Sequence, residues 1–308
     1  MDQGSILQPG TQRSLALSQT LARAVALHGR STAIVDGTTR LSWQAFGDRA
    51  VRLAAALQAL GMRRGDRVAM LSNNSHRYLE FYFGVPWGGG IFTPLNFRLA
   101  AAELAAILDD AGAGILIVDD ANLALAREVL LQRPVTHLIH AGDGPAPAGM
   151  LSFEALLAQS GTVPDAGRCG DDVAALFYTS GSTGKPKGVM HTHANLVFSA
   201  VAYSAAIGLD DESVALISGP LFHVGAAGIC VPAMVACGRI VLLSRFEPGE
   251  VLRLIEQERA TVMSLVPTML RMVVDHPDAR SRDLSSFQTL LYGAAPMPET
   301  LVAEAREI

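Results

Sequence analysis

The chain has 308 residues, half of them hydrophobic and 17% charged, with a formal net charge of -5. This balance describes a globular protein with a substantial core; it excludes a disordered chain and offers no basic surface to nucleic acid. Three cysteines, Cys169, Cys230 and Cys237, are too few and too irregularly spaced for a disulfide framework or a zinc site.

The first residues, Met1 to Gln12, are polar and lack the basic start and apolar core of a secretory leader. Val224 to Cys237 is the longest membrane-like run, but it is too short to span and contains Pro232. A cytoplasmic protein without a membrane span is expected.

Ala33-Ile34-Val35-Asp36 reads as a strand entering a turn at Gly37. Ser42 then caps a long helix whose apolar positions include Phe46, Val51, Leu53 and Leu57, and Gly61 stops it. Arg67 to Leu71 is a strand, and Asn74 or Ser75 is expected to cap an aromatic-rich helix that ends near Gly88. Strands follow at Ile91–Thr93, Gly114–Val118 and Val135–His140, with helices at Ala100–Ala111 and Ala121–Leu131 between them. Gly142 to Gly149 is an exposed loop, a short helix starts after Ser152, and Gly161 to Gly170 is a linker.

Val173 to Tyr178 is an apolar run that reads as a buried strand. It feeds Thr179-Ser180-Gly181-Ser182-Thr183-Gly184-Lys185-Pro186-Lys187-Gly188, and a helix is expected from about His193 to Ala206. Glycines let this backbone turn tightly, and successive N–H groups in such a loop form an anion-binding concavity. Hydroxyls and two lysines, the only lysines in the chain, add further donors suited to a polyphosphate. The spacing is not that of a Walker A loop: Thr179 stands where the first glycine belongs and Pro186 where the hydroxyl residue belongs.

Beyond it the alternation resumes, with strands at Val214–Ser218, Arg239–Leu243, Val262–Val266 and Thr289–Tyr292. Helices are expected at Gly225–Ala236, Pro248–Glu258, Pro267–Val274 and Pro298–Ile308. Such alternation specifies an α/β fold with mainly parallel sheets.

The string from Tyr178 to Gly188 resembles the phosphate-binding signature of the adenylate-forming (AMP-binding) enzymes, which include acyl-CoA synthetases, luciferases and peptide-synthetase adenylation domains. The resemblance extends over nearly the whole chain and is to the first part of an acyl-CoA synthetase's large N-terminal domain. It implies two interleaved, mainly parallel sheets with flanking helices. Residues 67–208 would form one α/β subdomain, and 1–65 with 210–308 the second.

By the same resemblance, Thr179, Ser180, Gly181, Ser182, Thr183, Gly184 and Lys187 would hold the ATP phosphates, with Lys187 and Thr183 in catalytic roles. Gly219-Pro220-Leu221-Phe222-His223-Val224-Gly225 resembles the family segment that borders the acyl pocket, which implicates Phe222, His223 and Gly225. Read from the residues alone, His223 could equally be a core histidine capping the next helix. Gly293-Ala294-Ala295-Pro296 resembles the segment that contacts adenine. No aspartate for a substrate ammonium stands near His223, which disfavours an amino acid. His191 and His193, two apart, lack a third metal ligand of useful spacing, so no metal site is assigned.

The implied activity is ATP-dependent activation of a carboxylic acid to an acyl-adenylate, followed in full-length relatives by transfer to CoA. ATP, Mg²⁺ and CoA are the implied cofactors and the carboxylate the partner, with an oligomer open. The small residues from Gly225 to Gly228 point to a medium or long fatty acid, with an aryl acid as runner-up. A non-catalytic nucleotide- or acyl-binding protein with the same fold is the alternative. The family's later elements, a Thr-Glu strand end, a ribose-binding aspartate and a C-terminal domain with the catalytic lysine, have no match before Ile308. The expectation is therefore an incomplete adenylating domain that makes little acyl-CoA by itself and leaves an exposed sheet edge at Thr289–Tyr292.

Overall fold

The computed structural model describes residues 14–179 and 186–308. Helix α1 (Leu17–His28) is followed by strands β1 (Thr32–Asp36) and β2 (Thr39–Ser42), helix α2 (Trp43–Ala59), strand β3 (Arg67–Leu71) and helix α3 (His76–Trp87). Next come β4 (Ile91–Pro94), α4 (Ala101–Ala111), β5 (Ile115–Val118), α5 (Leu123–Gln132), β6 (His137–His140), β7 (Leu151–Ser152) and α6 (Phe153–Gln159). Strands β8 (Val173–Thr179) and β9 (Lys187–Thr192) lead into α7 (His193–Ile207) and β10 (Val214–Ile217). The remaining elements are α8 (Val224–Val235), β11 (Arg239–Leu242), α9 (Pro248–Glu258), β12 (Val262–Leu265), α10 (Pro267–Val274), β13 (Thr289–Tyr292) and α11 (Glu299–Ala305).

The strands form two sheets, of order β7-β6-β5-β3-β4-β8-β9 and β13-β12-β10-β11-β1-β2. Every neighbouring pair is parallel except β8–β9 and β1–β2, which are antiparallel hairpins at a sheet end. The α/β class with two mainly parallel, helix-flanked sheets is therefore the observed one. The sequence reading omits four of these elements, one of them the two-residue edge strand β7. Strands β2 and β9 are short edge strands whose pattern buries no alternating face, so only their hydrogen-bonded partners define them. Helix α1 has no side-chain cap at Ala16, and nothing in the local sequence marks its start.

The chain divides into two units. The first comprises the described residues before Ser31 with Trp43–Asn73 and Arg77–Phe198; the second comprises Ser31–Ser42, Asn74–His76 and Ser199–Ile308. Strands β1 and β2 thus lie in the sheet of β10–β13, whereas 14–30 and 43–65, which the sequence reading groups with the residues after 210, fall in the first unit. The cause is packing: α2 buries Trp43, Phe46, Val51 and Leu57 and lies against α1 and α6.

In the first unit an aromatic ladder runs from α3 to the last hairpin. Tyr82 stacks on Phe92 with ring centroids 4.6 Å apart, Phe92 meets Phe177 edge-on at 6.0 Å, and Phe177 meets His191 at 5.5 Å. Edge-to-face pairs of this kind add specific geometry to the burial of large apolar surfaces. Beside it, Arg49 binds Glu80 at 2.7 Å and Glu154 at 2.8 Å, and Arg77 binds Glu154 at 2.7 Å. Burial by itself would raise the Glu154 carboxyl, but hydrogen bonds from the two guanidinium groups outweigh it and hold it down at about 2.

The second unit is built on Val241, Leu252, Ile255, Met263 and Leu270, which join strands to α9 and α10. Helix α9 starts with Pro248 in its first turn and Glu247 as the cap, whose carboxylate receives the N–H groups of Gly249 and Glu250. Among the described residues β13 is one of the two edge strands of this sheet, and no helix is long and apolar enough to cross a membrane.

Candidate active site

Two places gather the residues singled out from the sequence, one in each unit. In the first, β8 and β9 form the stem of a hairpin with Thr179 directly opposite Lys187 and Tyr178 opposite Gly188. Thr179 and Lys187 are both exposed. Ser180, Gly181, Ser182, Thr183 and Gly184, with Lys185, lie outside the described residues.

The stem is held from below by the ring of Tyr178. A Cβ placed on Gly188 would come within 3.0 Å of the Tyr178 ring and 3.1 Å of its hydroxyl, so any larger residue there requires the ring to give way. The hydroxyl donates to Asp110 Oδ2 at 2.6 Å, a charge-assisted bond to helix α4. Burial, and then this carboxylate, push the phenol well above its ordinary acidity range. The Lys-Gly ending of the motif thus has a packing reason beside its chemical one: Lys187 follows the loop, and Gly188 lets the clamp close.

His193 opens α7 and is fully buried. Its Nδ1 accepts the N–H of Leu17 at 3.2 Å, tying α1 to the end of the hairpin. Burial, followed by the positive charge of Arg168, pushes the imidazole down to about 4, so it is neutral at physiological pH. His191 sits higher on the stem, with Nδ1 3.2 Å from Asn195 Oδ1. Among the described residues no group of three or more His, Cys, Asp or Glu side chains is arranged to hold a metal ion.

In the second unit, a cavity of about 250 Å³ opens beyond the carboxyl ends of β10, β12 and β13, beside α8. This is the place where parallel α/β sheets hold ligands, because strand ends and helix starts leave a crevice there. Apolar wall comes from Leu216, Ile229, Leu265 and Met269, and Tyr203 and Tyr292 add aromatic surface. His223, Gly225, Gly293 and Ala294 also line it, so residues of both segments singled out from the sequence meet in one space. Phe222 is buried behind the wall, and Ala295 and Pro296 are exposed outside it.

His223 is also the N-cap of α8: its Nδ1 accepts the Gly225 N–H at 3.0 Å. The two readings of this residue are not exclusive, since the ring caps the helix with one nitrogen while it lines the cavity. Ala294 has φ 65, the left-handed region that costs a residue with a Cβ of order 1 kcal/mol. Strain of this kind persists where surrounding structure imposes it, and here it turns the chain from β13 toward α11. Tyr203 and Met269 carry no motif, and their place in the wall follows only from the packing of α7 and α10 onto the strand ends.

A model of the AMP-binding enzyme family matches residues 21–308. A feruloyl-CoA synthase from Amycolatopsis sp. is 40% identical over 298 residues, covering 94% of this chain and 57% of that protein. A medium/long-chain-fatty-acid–CoA ligase from Mycobacterium tuberculosis is 34% identical over 309 residues, covering 98% of this chain and 53% of that one. The chain therefore spans about half the length of the curated relatives it matches. Among solved structures, the N-terminal domain of FACL13 from Mycobacterium tuberculosis superposes with a TM-score of 0.87 at 29% identity, over 95% of this chain and 73% of that one. With a family match reaching from residue 21 to residue 308, the chain belongs to the AMP-binding enzymes, the adenylate-forming acid–CoA ligase family.

Proposed function

We propose that the protein activates a carboxylic acid with ATP, and that the whole protein passes the resulting acyl group to the thiol of CoA. The observation that carries this reading is the single cavity at the strand ends, where His223 and Gly225 share a wall with Gly293 and Ala294. A carboxylate oxygen forms a bond to the α-phosphorus of ATP, and the bond from that phosphorus to the β-phosphate's bridging oxygen breaks. Acyl-adenylate and pyrophosphate result. Negative charge grows on the departing pyrophosphate, and donors fixed in advance at that position stabilise it more than they stabilise bound ATP.

Lys187 and Thr179, opposite each other on the stem, are assigned to those phosphates together with Ser180, Gly181, Ser182, Thr183 and Gly184. An ammonium and a hydroxyl suit phosphate oxygens rather than a bare cation. Mg²⁺ would be carried by the ATP phosphates and neutralise part of their charge. On the acyl side, His223 Nδ1 is occupied by the Gly225 N–H. With Nδ1 accepting, Nε2 is the ring nitrogen left to donate to a carboxylate oxygen.

The proposed substrate is an aryl acid of about the size of ferulate. A compact apolar cavity with Tyr203 and Tyr292 in its wall supports this, as does the 40% identity to a feruloyl-CoA synthase. The aliphatic acid expected from the sequence is the second reading. Open space at Gly228, where an added Cβ meets nothing within 4 Å, and the 34% identity to a fatty-acid–CoA ligase support it.

A pyrophosphate-exchange assay with Mg-ATP and a panel of ferulate, benzoate, octanoate, palmitate and acetate tests both. The highest kcat/KM is expected for ferulate. Preference for octanoate or palmitate would replace the first reading with the second. No exchange with any acid, together with no binding of acyl-adenylate mimics, would overturn carboxylate activation itself.

A further inference from the structure

Asn74 stands between β3 and α3 and is 4% exposed. Its sequence position suggests a helix cap, as does that of Ser75, but the first N–H of α3 is capped from elsewhere. His76 N–H donates to Asp36 Oδ2 at 2.9 Å, and His76 Nδ1 lies 2.8 Å from the same oxygen. The Asn74 side chain serves three remote backbone groups instead. Nδ2 donates to Gly219 O at 2.8 Å and to Leu243 O at 3.1 Å, and Oδ1 accepts the Leu221 N–H at 2.8 Å.

Gly219 and Leu221 follow β10, Leu243 follows β11, and Asp36 ends β1. Those three strands are consecutive, parallel neighbours in the six-stranded sheet. Asn74–His76 therefore runs across three adjacent carboxyl ends, the side of the sheet on which the cavity opens. The loop that Asn74 grips contributes Gly219, Pro220 and His223 to the cavity wall.

Only a primary amide places two N–H donors and an acceptor on one short planar group. Aspartate would turn a carboxylate toward two carbonyl oxygens, serine would make at most two of the three bonds, and alanine would leave two half-buried carbonyls and a buried N–H without this partner. Buried backbone groups stripped of a partner pull the chain toward water or toward another contact, so the loop would shift.

We infer that Asn74 is a positioning residue for the acyl side of the site. Its amide sets the path of residues 219–221 and, through them, the placement of His223, while touching no substrate. This inference rests on the proposed carboxylate activation.

The test compares the wild-type chain with Asn74→Asp, Asn74→Ala and the milder Asn74→Ser. Calorimetry measures the affinity of each for ATP and for 5′-O-(N-feruloylsulfamoyl)adenosine, a stable acyl-adenylate mimic, after thermal melts establish folding. Hydrogen exchange follows the Leu221 amide. Asn74→Asp and Asn74→Ala should weaken the acyl mimic by about tenfold or more, as expected for losing hydrogen bonds that hold a buried loop. ATP affinity should stay within about twofold, Asn74→Ser should fall between, and Leu221 exchange should accelerate while that of β10 does not.

Wild type that binds ATP but neither the feruloyl mimic nor its octanoyl counterpart would sink the carboxylate reading. Wild type that binds both, with variants that lose neither or lose both equally, would sink the role of Asn74. Should no variant fold, the wild-type protein still decides: fast exchange at Leu221, on the scale of exposed loops, contradicts the clamp.

Discussion

The hairpin stem of β8 and β9 and the loop after β10 both carry residues assigned to the reaction, but they are built differently. On the stem, Thr179 meets Lys187 and Tyr178 meets Gly188 within one local antiparallel pair, with Asp110 and the aromatic ladder as support from outside. At the cavity, Tyr203, His223, Met269 and Ala294 come from four separate elements, and Asn74 grips the loop before His223 from far along the chain. A local hairpin keeps its geometry through its own ladder. A wall assembled from strand ends keeps it only while distant contacts hold. Damage to the stem should therefore be chemical and confined to phosphate handling, whereas damage at the cavity should spread from remote positions.

The largest expected effect tests the stem chemically. Lys187→Ala should reduce pyrophosphate exchange by about 10²–10³, the usual consequence of deleting one donor to developing charge. Affinity for the acyl-adenylate mimic should change far less, because the acyl contacts remain. An exchange rate equal to wild type would remove Lys187 from the phosphate site.

A smaller effect tests the stem as packing. Gly188→Ala pushes a methyl against the Tyr178 ring and should cost about 1–3 kcal/mol in denaturant unfolding, as overpacking does. In a Tyr178→Leu background the same substitution should cost markedly less. The double-mutant cycle isolates this contact, and simple additivity would mean that the ring does not clamp the glycine.

The smallest effect sharpens the comparison through pH. His193, held down to about 4, ties the end of the hairpin to α1. In the unfolded chain an imidazole titrates near 6.5, so between pH 6.5 and 4 the unfolded state binds a proton that the folded state refuses. Stability from this group is complete above pH 6.5 and is lost as pH falls toward 4. Glu154, held at about 2 against an ordinary 4.5, extends the loss over the next interval down to about 2. His193→Asn keeps an acceptor for Leu17 without the titration. It should lower the slope of stability against pH between 6.5 and 4 by up to about one proton. An unchanged slope would show that His193 is not the acid-sensitive tie.

Much of this molecule is legible in the chain itself. The strand Val173–Thr179 and the helices Pro248–Glu258 and Pro267–Val274 follow from apolar runs and proline-led starts, which are local signals. The string from Tyr178 to Gly188 and the segments at His223 and Gly293 are contiguous motifs, and a contiguous motif can be read without knowing the fold. Strands β2 and β9 were not legible, because an edge strand is defined by the partner it pairs with and its residues bury no regular face.

Asn74 marks the boundary between the two kinds of information. In sequence it is one of several polar residues before a helix and reads as a cap. Its work instead depends on where β10 and β11 end, and no local pattern encodes that. The gathering of Tyr203, His223, Met269 and Ala294 around one cavity is likewise a product of sheet order, in which strands remote along the chain become neighbours. The sequence alone determined the fold class and the family, because both are written in local patterns and adjacent residues. The acyl wall and its support were decided by tertiary structure, because hydrogen bonds and packing act between residues close in space, however far apart along the chain.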